Sequence, residues 1–432
     1  MRIDLVAALL GFLASFSIGV PIAFCLGISG ISFLLLSGDA ITVAVQKMYS
    51  SIDSFPLLAL PLFVSIAHVM EHSGLLEDLI EFLISIFGRF RSGMAQVNIA
   101  ASMLFAGLSG TAVSDAAGLG PAEMRMMEKA GYPKEFSAAL TAASALIGPI
   151  IPPSIPIVLY AMSAGGAISI AGLFASALVP GIAIGLSQMV YSYFRSKRFP
   201  SLSYSHEKKS IREILQLFVR CLPALFLTLI IIGGILGGIF TVTEAAGVGL
   251  VYALAVGFFV TRKLTLRKIP LLAVQAAIVT GTLTALFGAG SLVAWLMTTQ
   301  QLPVIISNYF TSVIHSPYIF MLTVLGLLLI VGCVLDTNSA IIMFVPLLTP
   351  LATSVYGIHP YTFGTLFVVA LLTGLLTPPV GTLLFVMSSL AKLRIEELLR
   401  EIWPFVIIYV LICVLMMYLP AFTRWLPEMA GL

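Results

Sequence analysis

Charged residues are scarce in this chain. Of its 432 residues, 9% are Asp, Glu, Lys or Arg and 59% are hydrophobic, whereas about a quarter of the residues in soluble domains are charged. Uncharged apolar stretches of roughly 20 residues recur along the chain, and a helix needs that length to cross a bilayer. The composition therefore excludes a soluble protein, and it excludes a transmembrane β-barrel, whose strands would alternate in polarity. It predicts an all-α polytopic membrane protein.

Cysteine is also rare, and it is not paired. Cys25, Cys221, Cys333 and Cys413 lie singly in apolar segments, which is typical of small buried hydrophobes and not of disulfides or a metal site. Basic residues lie in short loops between apolar runs, so the net charge of +3 does not indicate nucleic-acid binding. The apolar run over 5–36 is longer than the core of a signal peptide and predicts one retained first helix.

The remaining apolar runs predict the membrane-spanning segments. They lie near 55–70, 136–165, 168–194, 215–239, 243–261, 270–298, 361–390 and 403–420. Two amphipathic segments, 74–91 and 302–314, are expected to lie along the membrane interface.

The basic residues predict the orientation of the chain in the membrane. They cluster at 195–212, 262–268 and 392–400. All three clusters fall on one side if 92–134 and 318–350 are re-entrant hairpins that enter the membrane and return. Because cytoplasmic loops carry the excess of Lys and Arg, this pattern places the amino terminus in the cytoplasm and the carboxyl terminus outside.

The two halves of the chain repeat one arrangement. "SGTAVSDAAGLGP" (109–121) precedes "IGPIIPPSIPIVLYAM" (147–162), and "GCVLDTNSAIIMFVP" (332–346) precedes "LTGLLTPPVGTLLFVM" (372–387). Each half thus holds a hairpin with an acid near its tip, followed by a helix broken at Pro-Pro. Since the two hairpins open to opposite sides, these are inverted repeats with interrupted helices, which are typical of secondary transporters.

The chemistry of the breaks favours ion and solute binding. Backbone that leaves the helix at membrane depth survives only where it is buried in protein or lines a wet cavity. The freed carbonyls and nearby hydroxyls suit a hard cation, and half-helix N-termini attract anions.

Asp336 is the only formally charged residue between Lys268 and Lys392. An intramembrane carboxylate costs about 2.5 kcal/mol or more, which favours contact with a ligand or ion in addition to an N-cap. For Ser114 and Asp115, capping of their own hairpin helix and ligand binding both stay open. Glu244 is equally compatible with a capping box.

Five stretches of the sequence resemble one protein family. They are 19–27 ("GVPIAFCLG"), 114–161, 332–350, 358–364 and 374–386. They resemble the large membrane subunit of tripartite ATP-independent periplasmic (TRAP) transporters, and the resemblance runs essentially end to end. It implies an elevator-type secondary transporter of the bacterial inner membrane, driven by sodium and lacking other cofactors. It also implies two partners, a separate small four-helix membrane subunit and a periplasmic substrate-binding protein.

The repeats and the resemblance together divide the chain into six segments. Residues 1–91 and 240–317 are expected to hold the scaffold helices and interfacial arms of the two repeats. Residues 92–165 and 318–390 are expected to form the transport domain, and each contributes a hairpin and a broken helix. The remaining segments are connecting helices over 166–239 and a carboxyl-terminal helix over 391–432.

Two or more sodium sites are expected at the breaks. The first would use Ser109, Ser114, Gly148 and Ile151. The second would use Gly332, Thr373, Gly374, Thr377 and Pro379. Sodium is favoured over protons because carbonyl and hydroxyl oxygens are plentiful there, whereas a proton relay would need more acids or histidines.

The solute is expected between the hairpin tips. The candidate substrate-binding residues are Ser114, Asp115, Ser154, Asp336 and Asn338. Asp336 would repel a carboxylate, so it is expected to accept hydrogen bonds from hydroxyls or to neighbour a sodium ion. No arginine lies clearly at pocket depth to bind a second carboxylate, which favours a small acidic solute such as sialic acid or another sugar acid.

Other functions remain open at this point. A C4-dicarboxylate permease would use the same architecture. A stand-alone sodium/anion symporter would need no binding protein, and an uncoupled anion channel would need a continuous pathway. "GLSG" at 107–110 matches a short motif of intramembrane serine proteases, but such an enzyme also needs a histidine base.

Overall fold

The computed structural model describes residues 3–104, 111–166, 168–199, 202 and 210–432. Those residues form helices, turns and loops and contain no strand. Eight helical segments among them are long and apolar enough to cross a membrane, as the composition predicts. They are Phe55–Ser73, Ile170–Ser196, Ile211–Leu236, Val242–Val260, Leu266–Thr299, Pro317–Val334, Thr337–Val355 and Ile395–Tyr418.

The described residues of the first half form ten α-helices, numbered here in chain order. The amino-terminal set is α1 (Ile3–Ser17), α2 (Ile22–Ser37), α3 (Thr42–Ile52), α4 (Ala59–Ser73) and α5 (Leu75–Phe87). The second set is α6 (Gly93–Leu104), α7 (Ala112–Gly118), α8 (Gly120–Lys129), α9 (Lys134–Ala145) and α10 (Ile155–Ser163).

Eleven further helices follow. The connecting and scaffold set is α11 (Ile170–Ser196), α12 (Ile211–Leu236), α13 (Val242–Ala255), α14 (Ile269–Thr299) and α15 (Leu302–Val313). The last set is α16 (Pro317–Val334), α17 (Thr337–Pro350), α18 (Pro360–Gly374), α19 (Thr382–Ala391), α20 (Ile395–Tyr418) and α21 (Ala421–Met429).

The prediction of one helix over 5–36 is wrong, because the chain turns between α1 and α2. Gly19 has φ +81°, which glycine adopts without steric cost, and Pro21 cannot donate a backbone hydrogen bond. The two helices pack along each other, and Ser29 Oγ donates to the Ala8 carbonyl at 2.9 Å. Since only residues 18–21 connect them, the helices are antiparallel.

This turn changes the side assigned to the amino terminus. The basic clusters place the end of α2 outside, and an antiparallel pair returns the chain to the side on which it starts. The amino terminus is therefore expected outside and not in the cytoplasm. Helix α3, which the sequence did not predict, follows this pair and packs against α14.

Both helices with Pro-Pro sequences are interrupted, as predicted. α9 and α10 are separated by residues 146–154, and α18 and α19 by residues 375–381. Pro152-Pro153 and Pro378-Pro379 are both cis.

The second hairpin has a short turn. α16 and α17 are joined by the extended residues Leu335 and Asp336. In the first half, α6 ends at Leu104 and α7 begins at Ala112, and residues 105–110 between them lie outside the described part of the chain.

The two breaks are built into a shared helical core. α9 packs against α20, α18 packs against α16, and α11 packs against both α6 and α18. α4 packs against α13 and α14. Polar bonds fix this core from within: Tyr409 Oη donates to the carbonyl of Ala143 at 2.7 Å and accepts from Gln188 Nε2 at 3.1 Å.

The antiparallel α1–α2 pair predicts a labelling pattern. In intact cells, Asp4→Cys and Asp39→Cys should both react with a membrane-impermeant maleimide, because both positions lie outside. Arg267→Cys is the control and should react only after permeabilisation, and the four native cysteines are buried. Labelling at position 39 without labelling at position 4 would return the amino terminus to the cytoplasm.

Candidate functional site

Two glycines bring the second hairpin into backbone contact with the second break. A Cβ built on Gly374 would lie 2.7 Å from the Cα of Gly332, and one built on Gly332 would lie 2.3 Å from the Leu371 carbonyl oxygen. Both distances are too short for real Cβ atoms. The main chains of α16 and α18 therefore touch where the second sodium site is predicted.

The segment after the second Pro-Pro pair is tied to the end of α16. Gly381 N donates to the Cys333 carbonyl at 2.9 Å, and Val380 N donates to Cys333 Sγ at 3.1 Å. Cys333 Sγ in turn donates to the Thr377 carbonyl at 3.1 Å. These bonds satisfy backbone groups that the break removes from the helix.

This arrangement brings together the residues predicted for the second sodium site. Thr373 Oγ1 donates to the Val369 carbonyl at 2.7 Å, and Thr377 Oγ1 donates to the Gly374 carbonyl at 2.9 Å. A hydroxyl that has donated its proton keeps lone pairs. Both threonines can therefore still offer oxygen to a cation, and their role as ligands stays a prediction.

Asp336 is the N-cap of α17. Its Oδ2 accepts from Ser339 N at 3.1 Å and its Oδ1 accepts from Ser339 Oγ. The side chain is nevertheless exposed at the hairpin tip. A carboxylate has about four acceptor positions, so capping leaves capacity for a ligand.

Two buried polar atoms beside Asp336 have no hydrogen-bond partner among the described residues. They are Thr337 Oγ1 and Asn338 Oδ1. Buried polar atoms in native proteins nearly always have a partner. An ion, a water molecule or a solute group at this tip would provide one.

In the first half, Asp115 lies against the first break. A Cβ on Gly148 would lie 2.5 Å from Asp115 Oδ2, so a side chain at position 148 would force this carboxylate to move. The carbonyl oxygens of Gly148 and Ile151 accept no hydrogen bond from the described groups. Carboxylate and free carbonyl oxygens suit a hard cation.

The N-cap of α7 is Thr111, whose Oγ1 accepts from Ser114 N at 3.2 Å. The expectation that Ser114 or Asp115 caps this helix is therefore wrong. Ser114 is exposed at the tip. Ser109, the remaining predicted ligand of the first sodium site, lies outside the described residues.

Ser154 has a different environment from the tip residues. It is buried, it caps α10 by accepting from Ile157 N at 3.3 Å, and it donates to the Pro149 carbonyl. Its hydroxyl proton is therefore already used in a hydrogen bond within the break. Contact between Ser154 and a solute stays a prediction.

The four elements meet crosswise. α10, which follows the first break, packs against α17 of the second hairpin, and Tyr160 Oη lies 2.9 Å from Thr349 Oγ1. α19, which follows the second break, packs against α7 of the first hairpin. Elements of both repeats that carry candidate residues are therefore in contact.

Sequence reasoning missed the roles of Thr111, Gly381 and Cys333. Cys333 was interpreted only as a small buried hydrophobe, although its position between Gly332 and Asp336 at a hairpin tip was a signal. Gly381 has φ +57°, and the sequence "PPVG" marks such a turn.

Comparisons with known proteins agree with this architecture. The family model described as "Tripartite ATP-independent periplasmic transporter, DctM component" matches residues 9–422. A sialic acid TRAP transporter large permease protein of Vibrio cholerae is 35% identical over 98% of this chain and 99% of its own length. The 2,3-diketo-L-gulonate large permease protein of Escherichia coli is 33% identical, over 94% and 95%. The C4-dicarboxylate large permease protein of Pseudomonas aeruginosa is 35% identical, over 94% of each chain.

Solved structures share the fold at low sequence identity. The YdaH transporter of Alcanivorax borkumensis superposes with a TM-score of 0.60 at 15% identity, covering 89% of each chain. MtrF of Neisseria gonorrhoeae superposes with a TM-score of 0.62 at 13% identity, covering 87% of this chain and 83% of that one. These similarities show the fold alone.

The close approach of α16 and α18 predicts that Gly332→Ala destabilises the protein. The new methyl group would collide with the backbone at Leu371, and overpacking of this kind costs about 1–3 kcal/mol. Gly326→Ala lies in the same helix with no atom within 4 Å of its Cβ, so this control should be neutral or slightly stabilising. Thermal unfolding of both purified variants in detergent measures the difference, and equal midpoints would contradict the contact.

Proposed function

The chain belongs to the DctM family of TRAP transporter large permeases, and on that premise we propose that it takes up an acidic organic solute by sodium symport. It is a transporter of the inner membrane and not an enzyme, so the protease alternative is wrong. The observation that carries the proposal is the crosswise packing of the two halves, α10 on α17 and α19 on α7, together with the exposed carboxylate of Asp336 at the start of α17.

Sodium coupling is supported by the kind of atoms at the breaks. Carbonyl and hydroxyl oxygens line both regions, and these are ligands for a hard cation. The segments that contain the breaks carry little formal charge of their own: no Asp, Glu, Lys or Arg occurs between Glu135 and Arg195, and Asp336 is alone between Lys268 and Lys392. The carboxylate at the first break is that of Asp115, which lies against Gly148. Uptake against a gradient then draws its energy from sodium moving with the solute.

An elevator movement is supported by unequal packing on the two sides. α17 packs against α14 and α10 contacts α4, whereas α7 and α19 pack mainly on each other and on α9. The sequence after α19 is basic, with Lys392, Arg394 and Arg400, which assigns this second side to the cytoplasm. The proposed transport domain (92–165 and 318–390) would thus rest against the scaffold on its outer side and open inward.

The solute we favour is a sugar acid with a single carboxylate. Relatives are named for sialic acid, 2,3-diketo-L-gulonate and C4-dicarboxylate. Their names do not decide between these solutes, so the choice rests on the chemistry of the site. Asp336 can accept hydrogen bonds from sugar hydroxyls, while its charge disfavours a second solute carboxylate nearby. A C4-dicarboxylate is the alternative, and it would need a cation opposite each end.

The proposal includes two protein partners. The family is described as tripartite, and this chain corresponds to one component. A small four-helix membrane subunit would complete the scaffold. A periplasmic binding protein would deliver the solute to the outer side, where α17 meets α14.

Asp336→Asn tests the solute and the role of the carboxylate. If charged hydrogen bonds to the solute or a neighbouring sodium ion are lost, about 1.5–3 kcal/mol is lost, and the half-saturating solute concentration should rise about tenfold to a hundredfold. Uptake of labelled sialic acid and of succinate is measured in proteoliposomes that contain the small subunit and the cognate binding protein, with and without a sodium gradient.

The outcomes of this assay are separable. Uptake of sialic acid by the wild type that requires the gradient supports the proposal. Uptake of succinate alone would replace the sugar acid by a dicarboxylate, and uptake that ignores sodium would remove the coupling. Normal uptake by Asp336→Asn would reduce Asp336 to a helix cap.

Thr377→Val tests the second sodium site. The change removes a hydroxyl oxygen with little change in volume, so the sodium concentration for half-maximal uptake should rise several-fold while expression stays normal. Thr323→Val is the matched control, because Thr323 is exposed on α16 and bonds only the Ile319 carbonyl. An unchanged sodium dependence for Thr377→Val would place the second site elsewhere.

A further inference from the structure

A basic cavity opens between α11 and α20 at their cytoplasmic ends. Its volume is about 330 Å³, within the usual range of ligand pockets. The lining residues are Tyr191, Phe194, Arg195, Arg198, Arg400, Glu401 and Pro404. Three guanidinium groups and one carboxylate leave a formal excess of two positive charges in this cavity.

One of the three arginines already has a partner. Arg195 forms a two-pronged ion pair with Glu401, at 2.5 and 3.2 Å, and its guanidinium lies 4.9 Å from the ring centre of Phe199. Arg198 and Arg400 are exposed and form no ion pair within the described part of the chain. These two arginines therefore supply the unused charge.

Each of these two arginines lies at the cytoplasmic end of an apolar stripe, which is a row of exposed apolar side chains on one helix face. On α11 the stripe is Leu186, Val190 and Phe194, spaced by four residues, and Arg198 follows four residues later. On α20 Arg400 comes first, followed by Trp403, Ile407 and Leu411. All six apolar side chains are 46–60% exposed. Spacings of three, four and seven residues keep each stripe on one face of its helix.

The chemistry of this surface matches one class of ligand. A phospholipid combines an anionic phosphate at the membrane surface with two acyl chains that run toward the membrane centre. Basic pockets between membrane helices on the cytoplasmic side bind anionic lipid headgroups, and guanidinium groups suit phosphate geometry. We propose that this cavity binds an anionic phospholipid of the cytoplasmic leaflet, with its phosphate between Arg198 and Arg400 and its acyl chains along the two stripes.

A direct binding measurement tests this site. The purified complex of this chain with its membrane partner is titrated with phosphatidylglycerol or phosphatidylcholine, and bound lipid is counted by native mass spectrometry. Phosphatidylglycerol should bind more tightly, and R198Q/R400Q should weaken its binding about 25-fold, at roughly a factor of five per lost charge. R212Q/R267Q is the matched control, because it also removes two exposed cytoplasmic arginines.

Two further arms identify the source of the phosphate and the role of the stripes. Glycerol 1-phosphate at the same concentration should not compete, and Val190→Ser/Ile407→Ser should weaken long-chain phosphatidylglycerol more than the dihexanoyl form. Equal binding of the two lipids, or unchanged binding to R198Q/R400Q, would overturn the proposal. Competition by glycerol 1-phosphate would make this a site for a soluble anion. If the small subunit covered the cavity in the complex, the cavity would instead be a protein interface.

Discussion

The structure depends on one constraint: main-chain polar groups that leave a helix within an apolar chain must find partners inside the protein. At the second break, Cys333 provides both an acceptor and a donor, and it holds Val380 and Gly381 against the end of α16. At the first break, the Ser154 hydroxyl donates to the carbonyl of Pro149 and accepts from the amide of Ile157. The groups that these contacts leave over are the ones available to ions and solute. The same set of freed polar groups therefore provides both the support of the breaks and the capacity to bind ions and solute.

Glycine decides how near the elements can come to each other. Gly332 and Gly374 allow backbone contact in the second half, while Gly148 makes room for the carboxylate of Asp115 in the first. The halves thus use the same residue type for different purposes. The two breaks are alike in sequence pattern, yet one is closed by main chain and the other by an acidic side chain. The two ion sites proposed at these breaks would accordingly differ in charge.

Much of this could be predicted from the sequence, and the failures have physical causes. Pro-Pro pairs mark helix breaks because proline lacks an amide hydrogen, so both interruptions and the Asp336 tip were predictable. The turn between α1 and α2 was missed because Val20 and Pro21 continue the apolar run, and hydropathy does not register a left-handed glycine. Helix α3 was missed because it is short and of mixed polarity. Thr111 was overlooked as a cap because two better-known capping residues, Ser114 and Asp115, stand beside it. The bonds of Cys333 depend on residues more than forty positions away, which no local pattern reports.

The crosswise packing of the two halves has a consequence for biogenesis. α7 is made early and α19 near the end of synthesis, because they occupy Ala112–Gly118 and Thr382–Ala391. Translation at about 5–20 residues per second separates them by on the order of tens of seconds. During that time the side of α7 that α19 will cover is in the membrane without its partner helix. The newly inserted amino-terminal half is thus an incomplete folding intermediate, in which α7 still lacks the helix that packs against it in the finished protein.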